Sequence, residues 1–166
     1  MSGGVLVAGI GNVLLGDDGF GVEVAGRLAT RTLPPGVRVA DFGIRGVHLA
    51  YELLDGYDAL VLIDAVPLAE RPGTLVVLEP DAVPPADLDD MSPVLDAHSM
   101  DAQVVLGMLA RLGGTVDRVV VVGCAPADLE EGIGLSPAVA SAVEAAAELC
   151  MEVVAGMLPL VGKGSR

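Results

Sequence analysis

The hydrophobic pattern alternates along the chain between short unbroken apolar runs and longer stretches with helical spacing. Val5 to Ile10 is apolar or small throughout and closes on glycine, the pattern of a strand covered on both faces of a sheet. After a glycine-rich turn, Val22, Val24, Ala25 and Leu28 fall on one stripe of a helix that must end before Pro34-Pro35-Gly36. Val37 to Ala40 then reads as a strand, Val47 to Leu54 as a helix, Ala59 to Ile63 as a strongly apolar strand and Thr74 to Leu78 as a further strand. Ser99 to Leu112 has helical spacing, with Ser99 as cap and Gly113-Gly114 as stop. Arg118 to Val122 is a core strand, and Ser136-Pro137 opens a last helix with a cap and a proline at its first position.

Strands alternating with helices predict an α/β fold: one three-layer domain, with a mostly parallel sheet of five strands between helices. The connection from Ala65 to Gly73 holds Pro67 and Pro72-Gly73 and is too short for a crossover helix. The fourth strand is therefore expected to run antiparallel at an edge, beside the third. Residues 79–97 are rich in proline and aspartate and read as a long acidic loop, a length that suggests a task for it. No repeat or second domain is visible. The domain is expected to occupy residues 1–161, with 162–166 a mobile tail.

Composition narrows the picture. A chain of 166 residues matches one domain and can bury roughly 70% of its unfolded surface, so it needs no disulfide or structural metal. Hydrophobic residues make up 52% and aromatic residues 2%, so the core must be built from Val, Leu, Ile and Ala. The net charge of −14 repels phosphate backbones and anionic lipid, which argues against nucleic-acid and membrane partners. The apolar stretch Pro137 to Leu160 carries Glu144, Glu148 and Glu152 on one helical face, as a surface helix does and a membrane span does not. Two cysteines without a C-x-x-C pattern and the lack of a basic n-region before the first apolar run fit a reducing, cytoplasmic setting.

The chemistry-bearing residues gather where strands are expected to end. Gly9-Ile10-Gly11-Asn12-Val13-Leu14-Leu15-Gly16-Asp17-Asp18-Gly19 has neither the third glycine of a dinucleotide fingerprint nor the Lys-Ser/Thr of a phosphate loop. An aspartate pair in that place repels phosphate and attracts a cation, although Asp17 and Asp18 also suit the plain task of capping a helix. Asp64 ends the apolar run of the third strand, where open α/β sheets place their ligands, and equally suits a turn before Pro67. His98 stands at a loop-to-helix junction expected on the same rim. Asp18, Asp64 and His98 together offer two hard oxygens and an imidazole, suited to nickel, zinc or manganese and too few to fill the metal's shell. His48 reads as part of a helix face. Cys124 is a conceivable nucleophile with His98 as base, but lacks a nearby cation to lower its pKa, and Cys150 reads as core.

Four segments of this chain, taken in order, resemble the nickel-iron hydrogenase maturation proteases, endopeptidases that trim a C-terminal extension from the hydrogenase large subunit. They are Gly9-Ile10-Gly11-Asn12 with Asp17-Asp18-Gly19-Phe20-Gly21, then Ile63-Asp64-Ala65, then His98, and finally Gly123-Cys124-Ala125-Pro126 through Leu129-Glu130 to Gly134-Leu135-Ser136-Pro137. The resemblance implies that Asp18, Asp64 and His98 contact metal, and that the sheet has five strands. It implies further that the metal is nickel carried by the large-subunit precursor, the expected partner, with no tightly bound organic cofactor. In such a reaction Asp17 or another carboxylate is expected to move a proton. Two segments depart from the family pattern. Gly43-Ile44-Arg45-Gly46 replaces a Gly-Thr pair, so a polar contact there is missing or supplied by Arg45, and Ser99-Met100-Asp101 replaces a Gly-Leu-rich stretch.

Overall fold

The computed structural model describes residues 3–79 and 102–163. The chain forms β1 (Val5–Ile10), a 3-10 turn (Gly16–Gly19), α1 (Phe20–Ala29), β2 (Val37–Gly43), α2 (Gly46–Leu53), β3 (Ala59–Ala65) and β4 (Leu75–Leu78). Beyond residue 101 follow α3 (Ala102–Arg111), β5 (Arg118–Cys124), α4 (Pro137–Ala140) and α5 (Val143–Lys163). The acidic stretch 80–97, Ser99 and residues 164–166 of the expected tail lie outside the described residues, and α5 continues through Gly162 to Lys163.

The five strands form one sheet in the order β2-β1-β3-β5-β4. The first four are parallel and β4 pairs antiparallel with β5, so the expected class holds. One expectation is corrected: β4 does not lie beside β3. β5 takes that place in full register, from Ala59 opposite Arg118 to Ala65 opposite Cys124. The 66–74 connection instead passes over the carboxyl end of β5, held by Val66 N–H to the Cys124 carbonyl at 2.9 Å and Gly73 N–H to the Ala125 carbonyl at 2.8 Å. Three strands also run further than their apolar runs. β2 continues through Asp41-Phe42-Gly43, β3 through Asp64-Ala65 and β5 through Gly123-Cys124, because ladder pairing with neighbours carries the extended backbone past the last purely apolar residue.

Side-chain alternation explains the three layers. Val5 and Val7 of β1, with Val61 and Ile63 of β3 and Val120 and Val122 of β5, point to the face covered by α1 and α5. Leu6, Ala8 and Ile10, with Leu60, Leu62 and Val121, meet Leu49 and Leu53 of α2 and Val105 and Leu109 of α3 on the other face. Helix α1 buries Phe20, Val24, Ala25 and Leu28 and keeps Glu23 and Arg27 in solvent. Arg27 pairs with Glu144, and Arg31 with Glu144 and Glu148 at 2.8 Å, joining α1 to α5 on the surface. These exposed pairs add little stability beside the buried stripe. Glu144, Glu148 and Glu152 are exposed as expected, and no helix among the described residues is long and apolar enough to cross a membrane.

Glycine sets how near α1 comes to the sheet. A Cβ on Gly21 would fall inside the contact distance of the Ile63 and Ile10 carbonyl oxygens, and one on Gly9 would meet the Gly21 carbonyl. The start of α1 therefore rests directly on the carboxyl ends of β1 and β3. Because the obstructing atoms are backbone, they can yield only by moving a strand. Gly21→Ala is expected to lower the unfolding free energy by about 3 kcal/mol, an overpacking cost, which urea denaturation measures; a loss below about 0.5 kcal/mol would contradict this packing.

Candidate functional site

The strand order creates the site. From β1 the chain crosses by α1 to β2 on one side, then returns by α2 on the opposite face to β3 on the other side. The order therefore reverses between β1 and β3, and open α/β sheets bind ligands outside the carboxyl ends of the strands at such a switch point. Asp64 is the sixth residue of β3, one beyond the Gly9–Ile63 pair, and is half-buried. The 3-10 turn carrying Asp17 and Asp18 follows β1 and packs against β3. Asp18 and Asp64 thus belong to two segments that meet at the switch point.

The two neighbouring aspartates have different surroundings. Asp18 is half-buried, and its Oδ2 accepts the Asn12 N–H at 2.7 Å. A carboxylate held through one oxygen retains the other for a metal or a proton. Asp17 is fully buried, the one charged side chain so placed among the described residues. Its Oδ1 accepts the Ser136 N–H at 2.7 Å, and its Oδ2 accepts the Ala127 N–H at 2.8 Å, the Asp128 N–H at 3.0 Å and the Ser136 hydroxyl at 2.9 Å. Burial pushes this carboxyl up, but the bonds from Ser136, Ala127 and Asp128 outweigh it and hold the pKa below the ordinary aspartate value. Asp17 is thus enclosed with both oxygens engaged, surroundings unlike those expected of a group that moves a proton.

Neither aspartate caps α1, whose N-cap position is Gly19. Ser136 likewise makes no capping bond to α4; its hydroxyl serves Asp17 instead. Sequence reading missed this pairing of the first loop with the 125–136 loop. The signal available was a serine-proline pair, and it also fitted a helix start. Backbone bonds extend the pairing: Gly16 N–H to the Gly132 carbonyl at 2.9 Å, Gly132 N–H to the Leu14 carbonyl at 2.9 Å and Asp17 N–H to the Asp128 carbonyl at 2.8 Å. Gly16 has φ +57°, and a side chain on it would press on the Asp128 carbonyl.

The other expected residues divide clearly. His98 lies outside the described residues, and among those described no three His, Cys, Asp or Glu side chains gather into a metal site. Asp18 and Asp64 are thus the two members of the expected trio that can be located. His48 is exposed in the first turn of α2. Arg45 folds back onto the end of β2, with Nε donating to the Phe42 carbonyl and Nη2 to the Asp41 carbonyl, each at 3.2 Å. Cys124 is fully buried; desolvation, and next the Asp17 charge, push its thiol up to about 11. A thiol held protonated and away from solvent does not fit a nucleophile. Cys150 is buried in α5, and burial pushes it up to about 12.

Comparison with known proteins gives a consistent result. A family model described as hydrogenase maturation protease, HycI, matches residues 22–153. The hydrogenase expression/formation protein HupD of Rhodobacter capsulatus is 40% identical over 142 residues, covering 84% of this chain and 66% of HupD, just under two thirds of that protein. The hydrogenase 2 maturation protease of Escherichia coli strain K12 is 34% identical over 146 residues, 87% of this chain and 86% of that protein. Among solved structures, the hydrogenase maturating endopeptidase HybD from E. coli superposes with a TM-score of 0.74 at 31% identity, over 93% of each chain.

The Asp17 contacts generate a pH-dependent expectation. In Asp17→Asn the replacement amide faces the N–H and O–H donors with one acceptor fewer, an expected loss of about 2–3 kcal/mol at pH 7. The folded pKa of Asp17 is lowered, so its stabilising effect is complete above the unfolded value of about 3.9 and fades as the pH falls through the folded value. Urea unfolding should show a gap between wild type and variant that narrows well below pH 3.9. An equal gap at both pH values would count against an ionised Asp17.

Proposed function

Since the chain belongs to the hydrogenase maturation proteases, we propose that it is the endopeptidase that removes the C-terminal extension of a nickel-iron hydrogenase large-subunit precursor after nickel has been inserted. The observation that supports this reading is that the turn bearing Asp18 packs against β3, the strand bearing Asp64, at the β1/β3 switch point, and two hard oxygens there suit a metal. The nickel arrives with the substrate. Asp18 and Asp64, with His98, complete its coordination and so dock the peptide to be cut against the sheet.

Proximity then supplies much of the rate. The substrate's nickel polarises the scissile carbonyl or lowers the pKa of a water, whose oxygen bonds to the carbonyl carbon as the C–N bond breaks. The proton removed from the water passes to a carboxylate on the rim and on to the leaving amine. Asp17 takes no part in that transfer. The precursor is the macromolecular partner, and the acidic surface of this chain suits a cationic segment of it. The setting of the reaction is the cytoplasm, where the thiols of Cys124 and Cys150 remain reduced.

The decisive assay follows the mass of purified precursor, with and without inserted nickel. Wild type is expected to shorten the nickel-loaded precursor at its C-terminus and to leave the nickel-free form intact. Asp64→Asn should lower the rate by about a hundredfold or more. An intact nickel-loaded precursor held in a stable complex would replace the protease reading with a binding checkpoint. Cys124→Ala should cleave within about threefold of wild type; its complete inactivation would point to a thiol hydrolase.

A further inference from the structure

Asp17 and Asp18 are neighbours in one short turn and face different partners. Asp17 reaches inward to Ala127, Asp128 and Ser136, and Asp18 reaches back to the Asn12 amide. The turn cannot move without carrying both. It folds back so closely on the residue that follows β1 that a Cβ on Gly11 would overlap the Asp18 carbonyl oxygen. On the opposite side, among the described residues, it is bonded to the 125–136 loop through the Asp17 carboxylate and the backbone bonds of Gly16 and Asp17.

We propose that Asp17 is a positioning residue for the cleavage: its carboxylate, by gathering the 127, 128 and 136 amides and the Ser136 hydroxyl, fixes the turn that aims Asp18 at the rim. The kinetic consequence rests on the protease reading above, while the placement itself does not. Three features separate this from a general structural role. The carboxylate is saturated by four donors and has no exposure, so it contacts neither substrate nor solvent. Its donors all come from one loop, so removing the charge releases that loop from the turn. The group one residue away is Asp18, and a ligand shifted by about an ångström is costly to a reaction that depends on geometry.

The test uses the full chain with Asp17→Asn, Asp18→Asn, the double variant and Ser136→Ala. In the precursor assay, Asp17→Asn is expected to lower kcat/KM about tenfold, yet to add less than about twofold once Asp18 is already Asn. The same factor in both backgrounds would overturn the proposal, because an effect independent of Asp18 is not transmitted through it. Ser136→Ala, which keeps three of the four donors, should act in the same direction by about threefold.

Amide hydrogen exchange supplies the second arm and needs no catalysis. Loss of the clamp should speed exchange at Ala127, Asp128 and Ser136 whatever Asp17 does for the site. The discriminating amide is Asn12, bonded to Asp18 rather than to Asp17. In Asp17→Asn it is expected to exchange about tenfold faster, and a wild-type rate at Asn12 would overturn the proposal. If wild type fails to cleave, the protease reading falls and the Asn12 amide still decides the positioning of Asp18.

Discussion

The start of α1 lies on bare backbone. Gly21 against the Ile10 and Ile63 carbonyls, and Gly9 against the Gly21 carbonyl, leave no room for a side chain between helix and sheet. That contact fixes the height of the preceding turn above the strands and spans β1 and β3 together. A bulkier residue would lift the helix and, with it, the segment bearing Asp18. The rest of the site inherits its geometry from this approach, which is why the glycines count for as much as the carboxylates.

A buried negative charge then ties that turn to a distant part of the chain. Water stabilises a carboxylate strongly, and an apolar interior does not. Asp17 survives there because three backbone N–H groups and one hydroxyl replace its hydration shell. Those donors lie more than a hundred residues away in sequence, so the charge joins the first loop to the one that follows β5. Burial pushes the pKa of Cys124 up, and the nearby Asp17 charge adds to that rise. Two carboxylates next to each other in sequence thus have opposite surroundings: one is enclosed and ties two loops together, the other is half-buried and bonded to the Asn12 amide.

Much of the fold was legible in the pattern of residues. Runs such as Val5 to Ile10 and Ala59 to Ile63 identify central strands because both faces are covered, and Val24, Ala25 and Leu28 mark the buried stripe of α1. The placement of β4 was not legible. Pro67 and Pro72-Gly73 show that the connection is short, but its span across the end of β5 depends on a strand, Arg118–Cys124, encoded well after it. Asp18 and Asp64 could be singled out because each comes after an apolar run, and the structure sets Asp18 in the turn after β1 and Asp64 within β3. The different surroundings of Asp17 and Asp18 could not be read, since adjacent identical residues are told apart only by what the 125–136 loop brings to them.

The strand order also dictates when the molecule can be completed. β5 must lie between β3 and β4, and the donors that neutralise the Asp17 charge come after β5. While the ribosome is still extending the chain, β4 has no neighbour, the outer edge of β3 is open and the aspartate has nothing to hold it. An emerging polypeptide therefore carries a half-made rim until β5 and the 125–136 loop are released. Competence comes late in synthesis, and a prematurely terminated product would be devoid of the architecture on which its chemistry stands.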